Sequence, residues 1–457
     1  MLLGTDGISA FPTMVKKDTQ IGNGIILYVG GSGPGNYSKI QEAIDNALDG
    51  DTIFVYNNSS PYFENLFINK SIRLIGEQKE TTIIDANKNL NVITIFANNV
   101  TISGFTIQNS GNLLINSGIE LRSSNDTISG NIISKNYMGI GMWTTGPDIS
   151  NYNTITSNII TSNKGNSIYI WGSTFILISN NTFLDNDGIN LDGQSSNINI
   201  SNNVFHNEGI LCYSTYIYNN IISNNSVNGK PLIYMVNTFN KIVDNAGQVI
   251  LVGCHNIVIR DQNLSHATVG LMLIGCNNCL ITKNTITNNG YFGIVLLQSS
   301  NNNISKNTIS DNGRSLSMYT WEFGLRDGIL LEYSNHNTII WNIISSNLFD
   351  GINFYFSNNN TVSTNTIKDN CARNIINGGS SLSFLYSSNN VIYHNNFLHN
   401  LQDVFFNNAT GINFNGNYWN RPRILPKIIH GINKKNRRTF TLDWHPASKQ
   451  YDLPIDL

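Results

Sequence analysis

Residues 270–313 decide the fold. They read GLMLIGCNNCLITKNTITNNGYF (270–292) and then GIVLLQSSNNNISKNTISDNG (293–313). Both copies open on glycine and an apolar run, cross a small polar turn, and continue through Ile-Thr/Ser-Lys-Asn-Thr-Ile to an Asn-rich corner. The period is about 22 residues, a solenoid repeat length. Apolar runs of about three to five residues are long enough for strands and too short for helices. One copy buries too little surface to stand alone, so each strand must pair with its equivalent in the next copy, about 4.8 Å away. The expected fold is therefore all-β, a right-handed parallel β-helix with alternate Ile, Leu, Val and Phe stacked inward. Asn at the corners tolerates a left-handed backbone, and its amide can hydrogen-bond from coil to coil. Regular apolar strands between the Asn turns set the chain apart from disordered Asn-rich tracts.

Worked outward from this stretch, the grammar predicts about fourteen coils, a rod of roughly 65–70 Å at 4.8 Å per coil. Residues 1–24 read as a flexible lead, and 25–60 as an N-terminal cap with a short helix. Residues 61–416 read as the β-helix, with an irregular coil or hairpin at 228–247, and 417–457 as a C-terminal cap. In the cap helix, Ile40, Ala43, Ile44, Ala47 and Leu48 lie at helical spacing, and Ser38 with Gln41 has the form of a capping box. At the other end Trp419 and Trp444 are expected to seal the last coil. The basic residues Arg421, Arg423, Lys434, Lys435, Arg437 and Arg438 offer a docking patch there.

Composition narrows the partners. Charged residues are 12% of the chain and the net charge is −2. No overall charge therefore draws the chain to nucleic acid or anionic membrane. About one residue in six is Asn, far above ordinary usage. A neutral amide and hydroxyl surface suits sugar hydroxyls better than phosphates. No apolar run reaches the ~20 residues of a membrane span. The opening MLLGTDGISAFP lacks the basic and apolar regions of a signal peptide, so an export signal reads as missing or truncated in this numbering. GGSGPG (30–35) lacks the GK[ST] ending of a phosphate loop.

IQEAIDNALDGDTIFVY (40–56), FENLFINKSIRLIGE (63–77), TTIIDA (81–86) and the run of N-x-I-S-x-N-x-I coils resemble the NosD-like right-handed β-helix proteins. NGKPLIYMVN and NAGQVILVGCHNIVIRD resemble the irregular coil that many of them carry mid-rod. The resemblance implies an exported or cell-surface protein of bacteria or archaea, related to carbohydrate-binding and sugar-hydrolase β-helices with the pectin-lyase-like fold. It also implies a copper-handling or assembly role as one alternative, since the name-giving member serves copper-site maturation.

Chemistry is expected at enlarged turns, where solenoids carry function. The insertions are SGNLLINS (110–117), MWTTGPDISNYN (142–153), GRSLSMYTWEFGLRD (313–327) and CARNIINGGS (371–380). Asp327 and Asp350 each precede a coil-starting Gly-Ile, which stacks them about 5 Å apart. Carboxylates that close can divide into an acid and a base. Glu322 and Arg373 complete a candidate catalytic set, with Arg373 balancing a sugar carboxylate. Trp321, Tyr319, Arg326, Trp143 and Trp171 are candidate sugar-contacting residues. Against catalysis, Asp-Gly is ordinary turn chemistry, repeated at Asp187-Gly188. The G-H-G and R-I-K pattern of polygalacturonases and the Y-G-x-D-P-H motif of the epimerases are missing.

Five cysteines leave an odd number for disulfides. Cys254 and Cys276 occupy equivalent positions, and with Cys279 and His255 they form a soft set suited to copper(I). No cofactor is expected from any motif; copper, at this set, and calcium are the metals considered, and no cluster of turn Asp residues matches the calcium site of pectate lyases. The sequence thus favours a glycan-binding surface protein over an enzyme. A polysaccharide lyase, hydrolase or epimerase acting near 313–380, a metal role, and end-to-end self-assembly of rods stand as alternatives.

Overall fold

Three-residue strands such as Thr127–Ser129 and Ile159–Thr161 bury their central residue and show the flanking two, so each strand turns one side chain inward. Three such strands separated by Asn-rich corners close one coil. The computed structural model describes residues 24–143, 150–213, 217–314, 326–371, 379–432 and 438–452. It is a parallel β-solenoid of about 17 turns. The excess over fourteen has a cause: Ile26–Val29 and Thr52–Val55, assigned to the cap by sequence, are already rungs of the first sheet. The irregular segment adds a shortened coil, Lys230–Val236 and Ile242–Val243, which has no strand on the second face.

The solenoid is two stacks, not one rod. In the first, one face is a nine-stranded sheet from Ile26–Val29 to Ile221–Ser223. The second face runs from Tyr62–Phe63 to Ser226–Val227, and the third is seven strands from Leu66–Ile68 to Ile210–Cys212. Ser226–Val227 then folds back antiparallel on Lys230–Val236. That strand opens a new third-face ladder, which runs through Gln248–Val252, Val269–Ile274 and Phe292–Leu297 to Lys427–Ile432.

The flank of the second stack plugs the end of the first. Successive residues of a strand point to opposite sides. Val249, Leu251, Leu271 and Leu273 join the second core. Their neighbours Ile250, Val252, Met272 and Ile274 join the first core, with Leu211, Cys212 and Ile217. Gln248 fixes the joint: its Oε1 accepts from Ile210 N at 3.0 Å, and its Nε2 donates to Ile210 O at 2.7 Å and Val269 O at 2.9 Å. Thr268 Oγ1 accepts from Gly209 N at 2.7 Å and donates to Asp187 O at 3.2 Å. Gly188, at φ +89°, is required here, because a Cβ would lie 2.0 Å from Thr268 Oγ1.

The Asn corners divide two tasks between neighbours. The left-handed position is held by many residue types, such as Ser157, Lys306, Trp341 and His394. The residue that follows is the ladder Asn. Asn181 Oδ1 accepts from Asn158 N and Nδ2, while its own Nδ2 donates to Ile155 O, Ser179 O and Asn203 Oδ1. Such a ladder passes donors toward the C terminus; the Asn181 ladder ends on Asn225, and one ladder in each stack ends on a carboxylate. In the second stack the finish is Asp443, which accepts from Gly416 N, Asn417 N and Nδ2, and Trp419 Nε1. In the first stack the neighbouring ladder through Asn163 and Asn186 finishes on Glu208, which accepts from Asn186 Nδ2 at 2.6 Å and from Ser167 Oγ. Burial pushes the Glu208 carboxyl up to about 8.

Both ends are covered. Ile40–Asn46 is the short helix, burying Ile40, Ala43 and Ile44. Its cap differs from the expected box: Lys39 stands at the N-cap with no side-chain bond. The carboxylate of Glu64, in the next coil, takes the amides of Ile40 at 2.8 Å and Gln41 at 2.9 Å. Leu48 falls beyond the helix and is exposed. At the far end Lys427–Ile432 and Arg438–Asp443 pair as an antiparallel hairpin. Trp419 is buried beneath it as expected, but Trp444 is exposed and seals nothing. Among the described residues no helix is long and apolar enough to cross a membrane.

Candidate functional site

On the third face of the first stack, Ile119 and Leu121, Ile140 and Met142, and Ile168 and Ile170 point inward and are buried. The residues between them form an outward row, in which Thr94, Glu120, Gly141, Tyr169 and Asn190 follow one another in register; this row is itself buried, and the open surface lies beside it. A second outward row carries Trp143, Trp171 and Asp192, also in register. Phe96 and Arg122, one residue past the paired Ile95 and Leu121, extend it toward the N terminus. The result is a strip of aromatic and polar groups at one-coil intervals of about 4.8 Å.

The strip is internally tied. Glu120 accepts from Asn91 Nδ2 at 2.5 Å and from Arg122 Nε at 2.9 Å. The Arg122 guanidinium lies 5.6 Å from the Phe96 ring centre. Trp143 packs on Tyr169 with ring centres 4.5 Å apart. Tyr169 OH donates to Asp192 Oδ2 at 3.1 Å, and Gly193 N donates to Asp192 Oδ1 at 2.7 Å. Trp171 remains 43% exposed. The insertion at 110–117 forms one wall, with Leu114 packed against the Tyr137, Met138 and Tyr169 cluster. The two carboxylates stand three coils apart, about 14 Å. That exceeds the roughly 5–9.5 Å between paired carboxylates that cleave glycosidic bonds. The arrangement suits binding: flat rings for sugar faces, and anchored charged groups for hydroxyls.

The residues nominated from sequence fall in three places. Trp143 and Trp171 come together on the strip. Asp327 and Asp350 stack one coil apart, as their shared Asp-Gly-Ile start implied. Both are buried. Asp350 N donates to Asp327 Oδ1 at 3.0 Å, Asn353 Nδ2 to Asp327 Oδ2 at 3.1 Å, and Ser380 N and Oγ to Asp350 Oδ1. Burial raises both carboxyls, and the Asp350 charge raises Asp327 further. In this setting the pair staples coil to coil through backbone amides. Arg326 is half-buried beside it, with its carbonyl accepting from Phe349 N at 3.2 Å. Tyr319, Trp321, Glu322 and Arg373 lie outside the described residues, as do Lys434, Lys435 and Arg437 of the basic patch.

The soft-ligand set does not converge. Cys254, Cys276 and Cys279 are buried in the second core, and Cys254 N donates to Cys276 Sγ at 3.3 Å. His255, next in the chain, is only half-buried and stacks on Phe239 with ring centres 5.4 Å apart. Among the described residues no three His, Cys, Asp or Glu side chains gather as a metal site would need.

Glu120, Arg122, Tyr169 and Asp192 were missed by the sequence reading, which looked to turns. The signal was available in the strands. Period-two alternation through SGIELR (117–122), IYIW (168–171) and INLD (189–192) puts these residues outward between buried aliphatics.

A family model described as the right handed beta helix region matches residues 91–247 and 236–384. No curated protein matches the sequence. Several solved structures are similar at low identity. The mannuronan C-5 epimerase AlgE6 A-module of Azotobacter vinelandii shares 13% identity, with 83% of this chain and 90% of that chain covered and a TM-score of 0.23. A pectin methylesterase from Aspergillus niger shares 14% identity over 68% of this chain and 89% of that chain, with a TM-score of 0.27. Tailspike protein 3 of bacteriophage CBA120 shares 10% identity over 92% and 68%, with a TM-score of 0.26.

Proposed function

The chain belongs to the right-handed β-helix family, and on that premise we propose that it binds a glycan chain along the third face of its first stack. The observation that carries this reading is the registered row of Phe96, Arg122, Trp143, Trp171 and Asp192 on a face the second stack leaves uncovered. Aromatic rings contribute much area at small entropic cost, and the neighbouring polar groups orient hydroxyls. A one-coil repeat matches an extended polymer better than a compact ligand. A polysaccharide partner places the working protein at or beyond the cell surface. Catalysis by Asp327 and Asp350 is the weaker reading, since their oxygens are occupied by backbone and side-chain donors.

The test is a glycan-array screen of the full chain, followed by titration of the hits against Trp171→Ala and Trp143→Ala. Affinity should fall about tenfold in each single variant, with melting temperature unchanged for Trp171→Ala. Binding indifferent to both tryptophans would overturn the proposal. So would new reducing ends or unsaturated-uronate absorbance during incubation, which would make the protein an enzyme.

A further inference from the structure

The C-terminal end of the second stack holds a cavity of about 320 Å³, lined by Asn400, Asp403, Trp419, Asn420, Arg421 and Arg423 among others. Its size matches the lower end of small-ligand pockets, about 300 Å³. The charges inside do not cancel. Among the described residues Asp403 is its only acidic lining residue, and its carboxylate is already paired with Lys427 Nζ at 2.7 Å. Arg421 and Arg423 are left with no carboxylate partner among the described residues. Arg423 Nε is buried and meets no hydrogen-bond acceptor. Buried polar atoms are almost always satisfied, so such an atom on a residue that lines a cavity points to an acceptor from a ligand.

The local sequence prepares this arrangement. Arg421-Pro422-Arg423 places two guanidinium side chains two residues apart, and both line the cavity. Pro422 fixes its own backbone angle. Arg421 is anchored through its N–H to Trp419 O at 2.6 Å, and Trp419 is held by Asp443 through its indole N–H at 2.9 Å. Guanidinium groups offer planar forks that suit carboxylate and similar oxyanions. Asn400 and Asn420 supply amides at the rim.

We infer that this cavity is an oxyanion-binding site that takes the carboxylate of an acidic sugar residue. The shared chemistry is a planar or tetrahedral oxyanion held by Arg421 and Arg423; a free inorganic anion is the other source. The cavity lies in the second stack, from residue 400 onward, so the oxyanion site stands or falls separately from the strip on the first stack, while the sugar assignment rests on the glycan reading above.

The experiment is calorimetric titration of the full chain at low ionic strength with trigalacturonate, maltotriose and sodium sulfate. Trigalacturonate should bind saturably and at least about tenfold more tightly than maltotriose. Arg423→Gln should lose about tenfold or more, and Arg423→Lys should recover only part. Arg260→Gln, an exposed guanidinium elsewhere on the second stack, controls for general charge and should change nothing. Sulfate binding as tightly as trigalacturonate would keep the oxyanion site and overturn the sugar assignment. No saturable binding by either anion, or equal affinity in wild type and in a correctly folded Arg421→Gln/Arg423→Gln variant, would overturn the site itself. Near-ultraviolet circular dichroism and melting temperature establish that folding.

Discussion

The third faces of the two stacks are alike inside and opposite outside. Inward, Ile168 and Ile170 in the first stack correspond to Val249 and Leu251 in the second, and all are buried. Outward, the first stack has Tyr169, covered by Trp143 and the Tyr137 and Met138 cluster, and Trp171, which is exposed, whereas the second has Ile250 and Val252. The second pair is buried in the core of the first stack. One backbone geometry therefore serves two ends, and only the outward residue of each pair decides which. Where both outward positions are aliphatic, the face becomes a joint; where the outer one is Trp171, that edge of the face stays open to solvent.

The strongest way to break this contrast is to place a charge in the same outward row on both sides. Val252→Asp buries an unpaired carboxylate at the joint and should cost at least about 4 kcal/mol. Trp171→Asp, half-exposed, should cost about 1 kcal/mol or less. Urea unfolding measures both, and small-angle scattering should show the Val252→Asp variant opening at residues 226–231. Equal costs for the two changes would mean the joint carries no special load.

The corners should show no such contrast, because the amide ladders are built alike. Asn307 Nδ2 donates to Ile281 O, Ser305 O and Asn342 Oδ1 at 2.9, 3.1 and 3.0 Å. Asn181 does the same with Ile155 O, Ser179 O and Asn203 Oδ1 at 2.9, 3.0 and 3.1 Å. Replacing either with Asp keeps the shape, removes the donors and sets like oxygens against each other. Each change should cost about 3 kcal/mol. Values for Asn181→Asp and Asn307→Asp that differ by more than the experimental error would show that the stacks differ beyond the third face.

The ladder ends sharpen the comparison further. Glu208 is fully buried at the joint, with its carboxyl raised to about 8 from an ordinary 4.5. A raised carboxyl favours the folded state when protonated. Its contribution is full below about pH 4.5 and is lost as pH climbs toward 8, with a slope of at most about 1.4 kcal/mol per pH unit. Glu208→Gln should flatten that slope and raise stability at pH 8 by about 2 kcal/mol. Melting temperature followed from pH 4.5 to 8.5 in wild type and variant checks this. A wild type whose stability rises over that range would contradict the assignment.

Much of this architecture is written locally, and the joint is not. The repeat at 270–313 shows strand length, corner chemistry and coil-to-coil stacking, because each arises within a coil or between neighbours. The pairing of Asp327 with Asp350 was legible for the same reason. The plugging of the first stack by the second joins Gly188 and Asp187 to Thr268, about 80 residues on, and nothing in either stretch announces the other. Continuous apolar runs such as VILV (249–252) and LMLI (271–274) were the available trace. A strand apolar on both faces needs a partner on both faces. The cap of the short helix was hidden in the same way, since Glu64 reaches it from the following coil. The strip was overlooked because attention went to loops, although its residues stand in plain alternation.

The smallest effect tests what the open face is for. If the strip binds a glycan, Trp171→Ala should weaken it about tenfold, about 1.4 kcal/mol. The second stack has its own aromatic stack, with Tyr333 and Tyr386 exposed and Phe356 half-buried between them, which offers the right control. Tyr333 and Phe356 stack with ring centres 5.1 Å apart, and Phe356 and Tyr386 at 4.8 Å, both with the rings tilted by 6°. Phe356 has a ring stacked on each face, and Tyr333 and Tyr386 each turn one face to it. The proposed surface lies on the first stack, so Tyr386→Ala should leave glycan affinity unchanged while slightly lowering stability. Loss of binding in Tyr386→Ala but not in Trp171→Ala would move the binding surface to the second stack. Its third face would then be more than a joint.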